Sequence, residues 1–217
     1  MIYTCSYKNF KTNLYKGCSI SGDKWGRAGW KGNSYSLLAP KKKFLTIWHN
    51  NKEIISENEN NEYYIEEYYK QVLSKLDPEE TYRKLDGNFL LCFEDNGEFC
   101  HRHIVAAWLE LFLDNKVNEV KVDGLAITYL DSPGYIKEVL EKVIKNNTNM
   151  RGFNSLRALY LFEMSEKFEN EADIMEEKFE KSYGHLRQAA AYLRSEADMI
   201  EDDYRVKKLV KRSGNNE

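Results

Sequence analysis

Two hydrophobic rhythms alternate along the first half of the chain, and a single one runs through the second. Residues 2–7, IYTCSY, are β-branched and aromatic and read as a first strand, and residues 14–21, LYKGCSIS, as a second. The run FLTIWHNN from Phe44 is apolar but too short for its period to choose between a strand and a buried helical turn. From Glu59 to Leu76, Tyr64, Tyr68 and Val72 recur every four positions with Ile65 and Leu76 beside them, which is one face of an amphipathic helix. Asp77 then supplies an N-cap and Pro78 a first helical position for a short helix that Asp86-Gly87 ends. NFLLCFE, residues 88–94, is a near-continuous apolar run between turn signals, the pattern of a strand buried on both faces. Glu98 to Leu113 reads as the next helix, with His101, Val105, Trp108 and Phe112 on one face, and EVKVDGLAI as one further strand.

Strands alternating with helices predict an α/β domain over residues 1–130: a mostly parallel sheet with flanking helices, three-layered and Rossmann-like. After Pro133 the composition changes. Residues 131–150 read as a connecting helix. From Gly152 apolar residues including Leu161, Phe168, Met175, Phe179, Leu186, Leu193 and Ile200 follow at three-, four- or seven-residue steps, a seam that wants a facing helix. Gly184 is the natural break, giving an antiparallel helical hairpin over 151–212 and a flexible tail over 213–217. The expected architecture is therefore an α/β domain with a C-terminal all-helical extension.

Composition narrows the class. With 32 basic and 35 acidic residues among 217, a formal net charge of −3, the chain lacks the electrostatic footprint of a dedicated DNA-binding domain, so nucleic acid is neither implied nor excluded. No apolar run reaches the roughly 20 residues of a membrane helix, since IVAAWLELFL stops at Asp114, and the N-terminus lacks a signal-peptide layout. A cytoplasmic protein without a membrane partner is expected, in which Cys5, Cys18, Cys92 and Cys100 remain reduced thiols.

Two stretches carry candidate chemistry. Residues 22–40 hold Gly22, Gly26, Gly29 and Gly32, which let backbone approach a ligand, while Trp25 and Trp30 can stack on a base and Arg27 can hold a phosphate. The alternative is a surface loop whose tryptophans close over the core. Its spacing matches neither a Walker motif nor a dinucleotide fingerprint. Lys41–Lys43 read as a solvated charge run.

The second stretch is Leu90–Leu111, LLCFEDNGEFCHRHIVAAWLEL. Cys92 and Glu94 end the buried strand, and Cys100, His101 and Arg102 open the following helix, so one sheet edge gathers all five. A helix N-terminus favours a thiolate at Cys100, and Arg102 or a protonated His101 favours it further. Packing roles for Cys100 and His101 are the plain alternative. Cys92, Cys100, His101 and His103 are also zinc-type ligands, but the seven-residue gap between the cysteines fits no finger or ribbon. Two histidines at i and i+2 diverge by about 200° on a helix. Neither a metal site nor a cofactor is assigned on spacing.

The pattern Cys92-x-Glu94-x5-Cys100-His101-Arg102 resembles the hallmark of the domain-of-unknown-function 488 family, in which an apolar strand, Cys-x-Glu and a short turn precede Cys-His-Arg at a helix start. With IYTCSY the resemblance covers roughly residues 1–125 and leaves out the tail. It implies a cytosolic α/β domain of prokaryotes and phages without a settled activity. The family's arginine-rich segment after the second strand is replaced here by Arg27 with Lys24 and Lys31 in the glycine-rich loop.

The leading expectation is an enzyme-like domain that binds or processes a phosphate-bearing small molecule, nucleotide or nucleic-acid fragment. Arg102 and Arg27 hold the anion, Cys92, Trp25 and Trp30 complete the binding site, His101 acts as acid or base, Glu94 orients it, and Cys100 serves as thiolate or hydrogen-bond donor. The rival is a non-catalytic ligand-sensing or interaction module that forms a homodimer through its C-terminal helices, with Phe168, Met175 and Phe179 at the interface.

Overall fold

In the computed structural model, which describes residues 1–22, 29–179 and 183–213, seven strands form one sheet. They are β1 (Tyr3–Ser6), β2 (Phe10–Lys11), β3 (Lys16–Ser19), β4 (Asn33–Ser34), β5 (Asn88–Cys92), β6 (Asn118–Asp123) and β7 (Ala126–Leu130). The order is β2-β6-β1-β5-β3-β4, with β7 on β6, and every pairing is parallel except β6–β7. Five helices belong to the same unit: α1 (Lys42–Asn51), α2 (Glu57–Gln71), α3 (Pro78–Leu85), α4 (His101–Leu113) and α5 (Tyr135–Asn147). The expected α/β class, mostly parallel with flanking helices and a helical extension, is the observed one.

β5 lies between β1 and β3, its Phe89 opposite Tyr3 and Gly17. Because successive strand side chains point to opposite faces, its apolar run serves two packing layers. Phe89 and Leu91 join Cys5, Phe10, Val120 and Val122 in one cluster, with Tyr3, Tyr7, Tyr15, Trp30 and Ile127 against it. Leu90 and Cys92 point the other way, toward α4, which runs along β1 and β5 and is buried over nine successive residues, His101–Leu109. α4 also touches α2, α3 and α5.

Two local differences from the sequence expectation have plain causes, and one open choice is decided. EVKVDGLAI is a hairpin, not one strand: Gly124 takes φ +59°, a conformation glycine adopts without cost, and β7 folds back antiparallel on β6. FLTIWHNN is helical and lies within α1. The helix expected from Glu98 starts at His101, because Cys100 is extended (φ −150°, ψ 147°) and stands as the N-cap.

The second unit, Thr148–Glu217, contains α6 (Leu156–Phe179) and α7 (Gly184–Ser213), which pack on each other. Arg187 meets Asp173 and Glu176, Arg194 meets Glu169, and Glu201 meets Asn154, so the helices run antiparallel. Ala172, Ala190 and Ala197 are fully buried in this seam. Phe168 and Met175 are half-buried, and the side chain of Phe179 lies outside the described residues.

Candidate active site

The carboxyl ends of neighbouring parallel strands present their last residues to one edge. Cys92 is the last residue of β5, and Ile20 follows β3, joined to β5 by its N–H donating to the Leu91 carbonyl at 3.1 Å. Seven residues separate Cys92 from Cys100, and the chain crosses them in a turn that brings the start of α4 back over the strand end.

Arg102 holds that turn in place. Its guanidinium donates to the carbonyls of Glu94 at 2.8 Å and Asp95 at 3.0 Å, while Nε donates to both carboxylate oxygens of Glu119 on β6 at 3.1 Å. Arg102 and Glu119 are both buried, and the Arg102 side chain does not line the cavity described below. The residue expected to hold an anion is thus committed internally, to one carboxylate and two carbonyls. His103 faces the same carboxylate, with Nε2 3.3 Å from Glu119 Oε2, on the side of α4 away from His101.

The remaining four residues of the motif converge. Glu94 Oε2 lies 2.8 Å from Cys100 Sγ and 3.2 Å from Cys92 Sγ. His101 Nδ1 lies 3.4 Å from Cys92 Sγ and 3.8 Å from Cys100 Sγ. The other ring nitrogen, Nε2, is 3.1 Å from the Ile20 carbonyl, and the ring edge meets Tyr68. One donor atom from each of Cys92, Glu94, Cys100 and His101 lies within 4.8 Å of all the others, and among the described residues these are the ones grouped so that they could hold a metal ion.

Environment separates the two thiols. Burial pushes the Cys92 thiol well above the ordinary range, with the neighbouring Cys100 and Glu94 adding to the effect. Burial acts the same way on Cys100, but the hydrogen bond from Cys92 and the charges of Arg102 and His101 outweigh it and hold Cys100 well below that range. Burial and the charge on Cys100 raise Glu94. His101 is raised as well, because attraction to Cys100 and Glu94 overcomes the burial that would lower it. Both shifts favour the charged forms of Cys100 and His101 beside each other.

Above the cluster opens a cavity of about 510 Å³. Cys92, Glu94, Cys100 and His101 all line it, while α1 and α2 supply Lys42, Trp48, His49 and Tyr64. Trp48, Tyr64 and Phe99 touch one another, with ring centroids 5.2 to 5.8 Å apart, and form one wall. The sequence reading missed this wall: Tyr64 stood out only as helix-face periodicity and Lys42 only as part of a charge run.

Trp30 is elsewhere. It packs on Tyr7 and Phe10 in the cluster on the opposite sheet face, where a Cβ on Gly17 would come within 2.7 Å of its ring. Its indole N–H donates to the Asn33 carbonyl at 2.9 Å. The tryptophan expected to stack on a ligand closes over the core instead. Trp25 and Arg27 lie outside the described residues.

Sheet and site together define an α/β domain with a cysteine, histidine and carboxylate centre at the carboxyl edge of a parallel sheet. Residues 12–112 match the family model described as the active DUF488-N3 subclade, which supports the resemblance of this α/β unit to the domain-of-unknown-function 488 family. The matched segment contains all five motif residues. No curated protein and no solved structure matches the chain.

Proposed function

We propose that the α/β unit is an enzyme-like domain that binds a phosphate-bearing small molecule, a nucleotide or a nucleic-acid fragment and processes it in the cavity above Cys100. One observation carries this reading: the reactive cluster is the floor of a concave site, and its volume of about 510 Å³ suits a ligand of nucleotide size. Trp48 and Phe99, half-buried on that wall, can pack against a base. Lys42, at the start of α1, supplies the cation that Arg102 cannot. His101 serves as acid or base through Nδ1, since Nε2 is engaged with the Ile20 carbonyl. Glu94 bridges both sulfurs and keeps them in place. The family model's description as an active subclade supports turnover over binding alone.

No helix among the described residues is long and apolar enough to cross a membrane. Cys5, Cys18, Cys92 and Cys100 stand outside any disulfide, which supports a cytoplasmic setting.

Calorimetric titration of the full chain with adenosine 5′-monophosphate tests the reading. Lys42→Ala is expected to weaken binding about tenfold, a change of roughly 1.4 kcal/mol. Trp48→Ala is expected to weaken it comparably, and Cys100→Ala to leave binding in place while abolishing any conversion of the bound ligand. Absence of heat with the unaltered protein, for this nucleotide and for inorganic phosphate, overturns the proposal. Binding without any turnover refutes processing and leaves a sensing module.

A further inference from the structure

We infer that Cys92, Glu94, Cys100 and His101 form the binding site of one divalent transition-metal cation of the zinc type. The geometry carries this independently of any organic ligand. A tetrahedral cation bound at about 2.0 to 2.3 Å by nitrogen, oxygen and sulfur holds its ligand atoms roughly 3.3 to 3.8 Å apart. The separations here are 3.2 Å for Cys92 to Glu94, 3.4 Å for Cys92 to His101 and 3.8 Å for Cys100 to His101. The Cys100 to Glu94 contact, at 2.8 Å, has to open to admit the ion, and all four ligand atoms already lie within 4.8 Å of one another.

The surroundings are those of a ligand set. A metal-binding histidine usually gives its second ring nitrogen to a carbonyl, which fixes the ring and its tautomer. His101 does this: with Nε2 on the Ile20 carbonyl, Nδ1 is turned toward both sulfurs, and an ion held there replaces the acid–base role of Nδ1 with its own. Arg102 clamps the carbonyls of Glu94 and Asp95 and so sets the turn that carries Glu94. Cys92 is fixed by the strand end, and Cys100 and His101 by the helix start, so three ligands sit on rigid backbone. Two sulfurs, an imidazole and one carboxylate select a borderline-soft ion such as zinc over magnesium or calcium, which prefer all-oxygen shells.

The four ligands are not equivalent. Cys92, Cys100 and His101 are buried, whereas Glu94 is partly exposed toward the cavity. Two cysteines and a histidine with one exchangeable position form a catalytic type of zinc site, in contrast to a closed structural one. If the cavity binds phosphate as proposed above, a phosphate oxygen takes the place of Glu94. This last step alone rests on that functional reading.

The test uses the full chain, stripped with a chelator, dialysed, and titrated with cobalt(II) chloride alone. The expected result is saturation at one equivalent, with the intense sulfur-to-cobalt charge-transfer band and the visible bands of a tetrahedral ion. Cys92→Ser with Cys100→Ser is expected to remove the charge-transfer band. Glu94→Gln, a change at the partly exposed position, is expected to keep one equivalent while altering the visible bands. Circular dichroism on each variant separates loss of the site from loss of the fold. Cobalt binding to the unaltered chain that is no tighter than to the double serine variant, or a bound ion without the charge-transfer band, overturns the inference. Adding inorganic phosphate to the cobalt protein then addresses only the exchange of Glu94: a shift of the visible bands supports it, and an unchanged spectrum refutes it while the four-ligand site stands.

Discussion

The two units use charge in opposite ways. In the α/β unit the central ion pair, Arg102 with Glu119, has both side chains 0% exposed. In the helical hairpin Arg187, Arg194 and Arg151 form their pairs on the surface, with half-exposed side chains. Exposed pairs gain little, since water screens them and both side chains lose freedom. A buried pair pays a large desolvation cost that its mutual attraction only roughly repays. Arg102 is therefore better explained by position than by stability. It spans from β6 to the β5–α4 turn and holds the carbonyls flanking the candidate ligand Glu94. The arginine pairs of the hairpin position no such turn and dress a seam of alanines.

The sharpest way to break this contrast is Arg102→Ala. It strands Glu119 in the interior and is expected to destabilise the α/β unit by about 3–5 kcal/mol, read as a shifted midpoint in urea unfolding. Replacing both partners with apolar residues of similar size, Arg102→Met with Glu119→Leu, is expected to recover much of that loss while the cobalt spectrum stays perturbed. Full recovery of stability and spectrum together would show that Arg102 positions nothing.

Acid titration sharpens the same comparison with a smaller effect. Burial would raise the Glu119 carboxyl, but His103 and Arg102 outweigh it and hold it below its usual value. A carboxyl depressed in the folded state stabilises above its unfolded pKa of about 4.3, and that contribution disappears as the pH falls through the folded value. The unaltered protein is expected to lose stability progressively below about pH 4, and Glu119→Gln to follow a flatter, lower curve. Parallel curves would remove Glu119 from the acid response.

Much of the α/β unit was legible because its signals are local. β5 announced itself as an apolar run between turns, α3 through Asp77-Pro78, and the Cys92-to-Arg102 motif through residue type and spacing. The hairpin at Asp123-Gly124 was legible too, since such a dipeptide between apolar strands favours a turn, but it was read as one strand. What stayed hidden depends on direction and distance. Neighbouring residues on α4 point different ways, so His101 reaches the cavity while Arg102 turns to Glu119, which lies on a strand not yet placed. Finger and ribbon spacings assume ligands on short local loops, and here a strand end and a helix start do the gathering. The cavity wall comes from Trp48 on α1 and Tyr64 on α2, which only the folded sheet brings over Cys100.

The hairpin contains one exception to its surface charge, and it ranks next in expected effect. Glu201 on α7 is 4% exposed and accepts the backbone N–H groups of Asn154 at 2.7 Å and Ser155 at 2.9 Å. These donors stand just before α6, where N–H groups find no partner within the helix. Glu201→Ala is expected to cost about 1–3 kcal/mol through the stranded donors, seen as earlier loss of helical signal on heating. Arg187→Ala, which removes two surface pairs with Asp173 and Glu176, is expected to leave that melting curve unchanged at moderate salt. The order of these two effects is the point of the pair: Glu201 ties one helix to the start of the other, whereas Arg187 only decorates their meeting. If Arg187→Ala proves the more damaging, the hairpin is held by its charge network and not by its alanine seam, and the contrast between the units collapses.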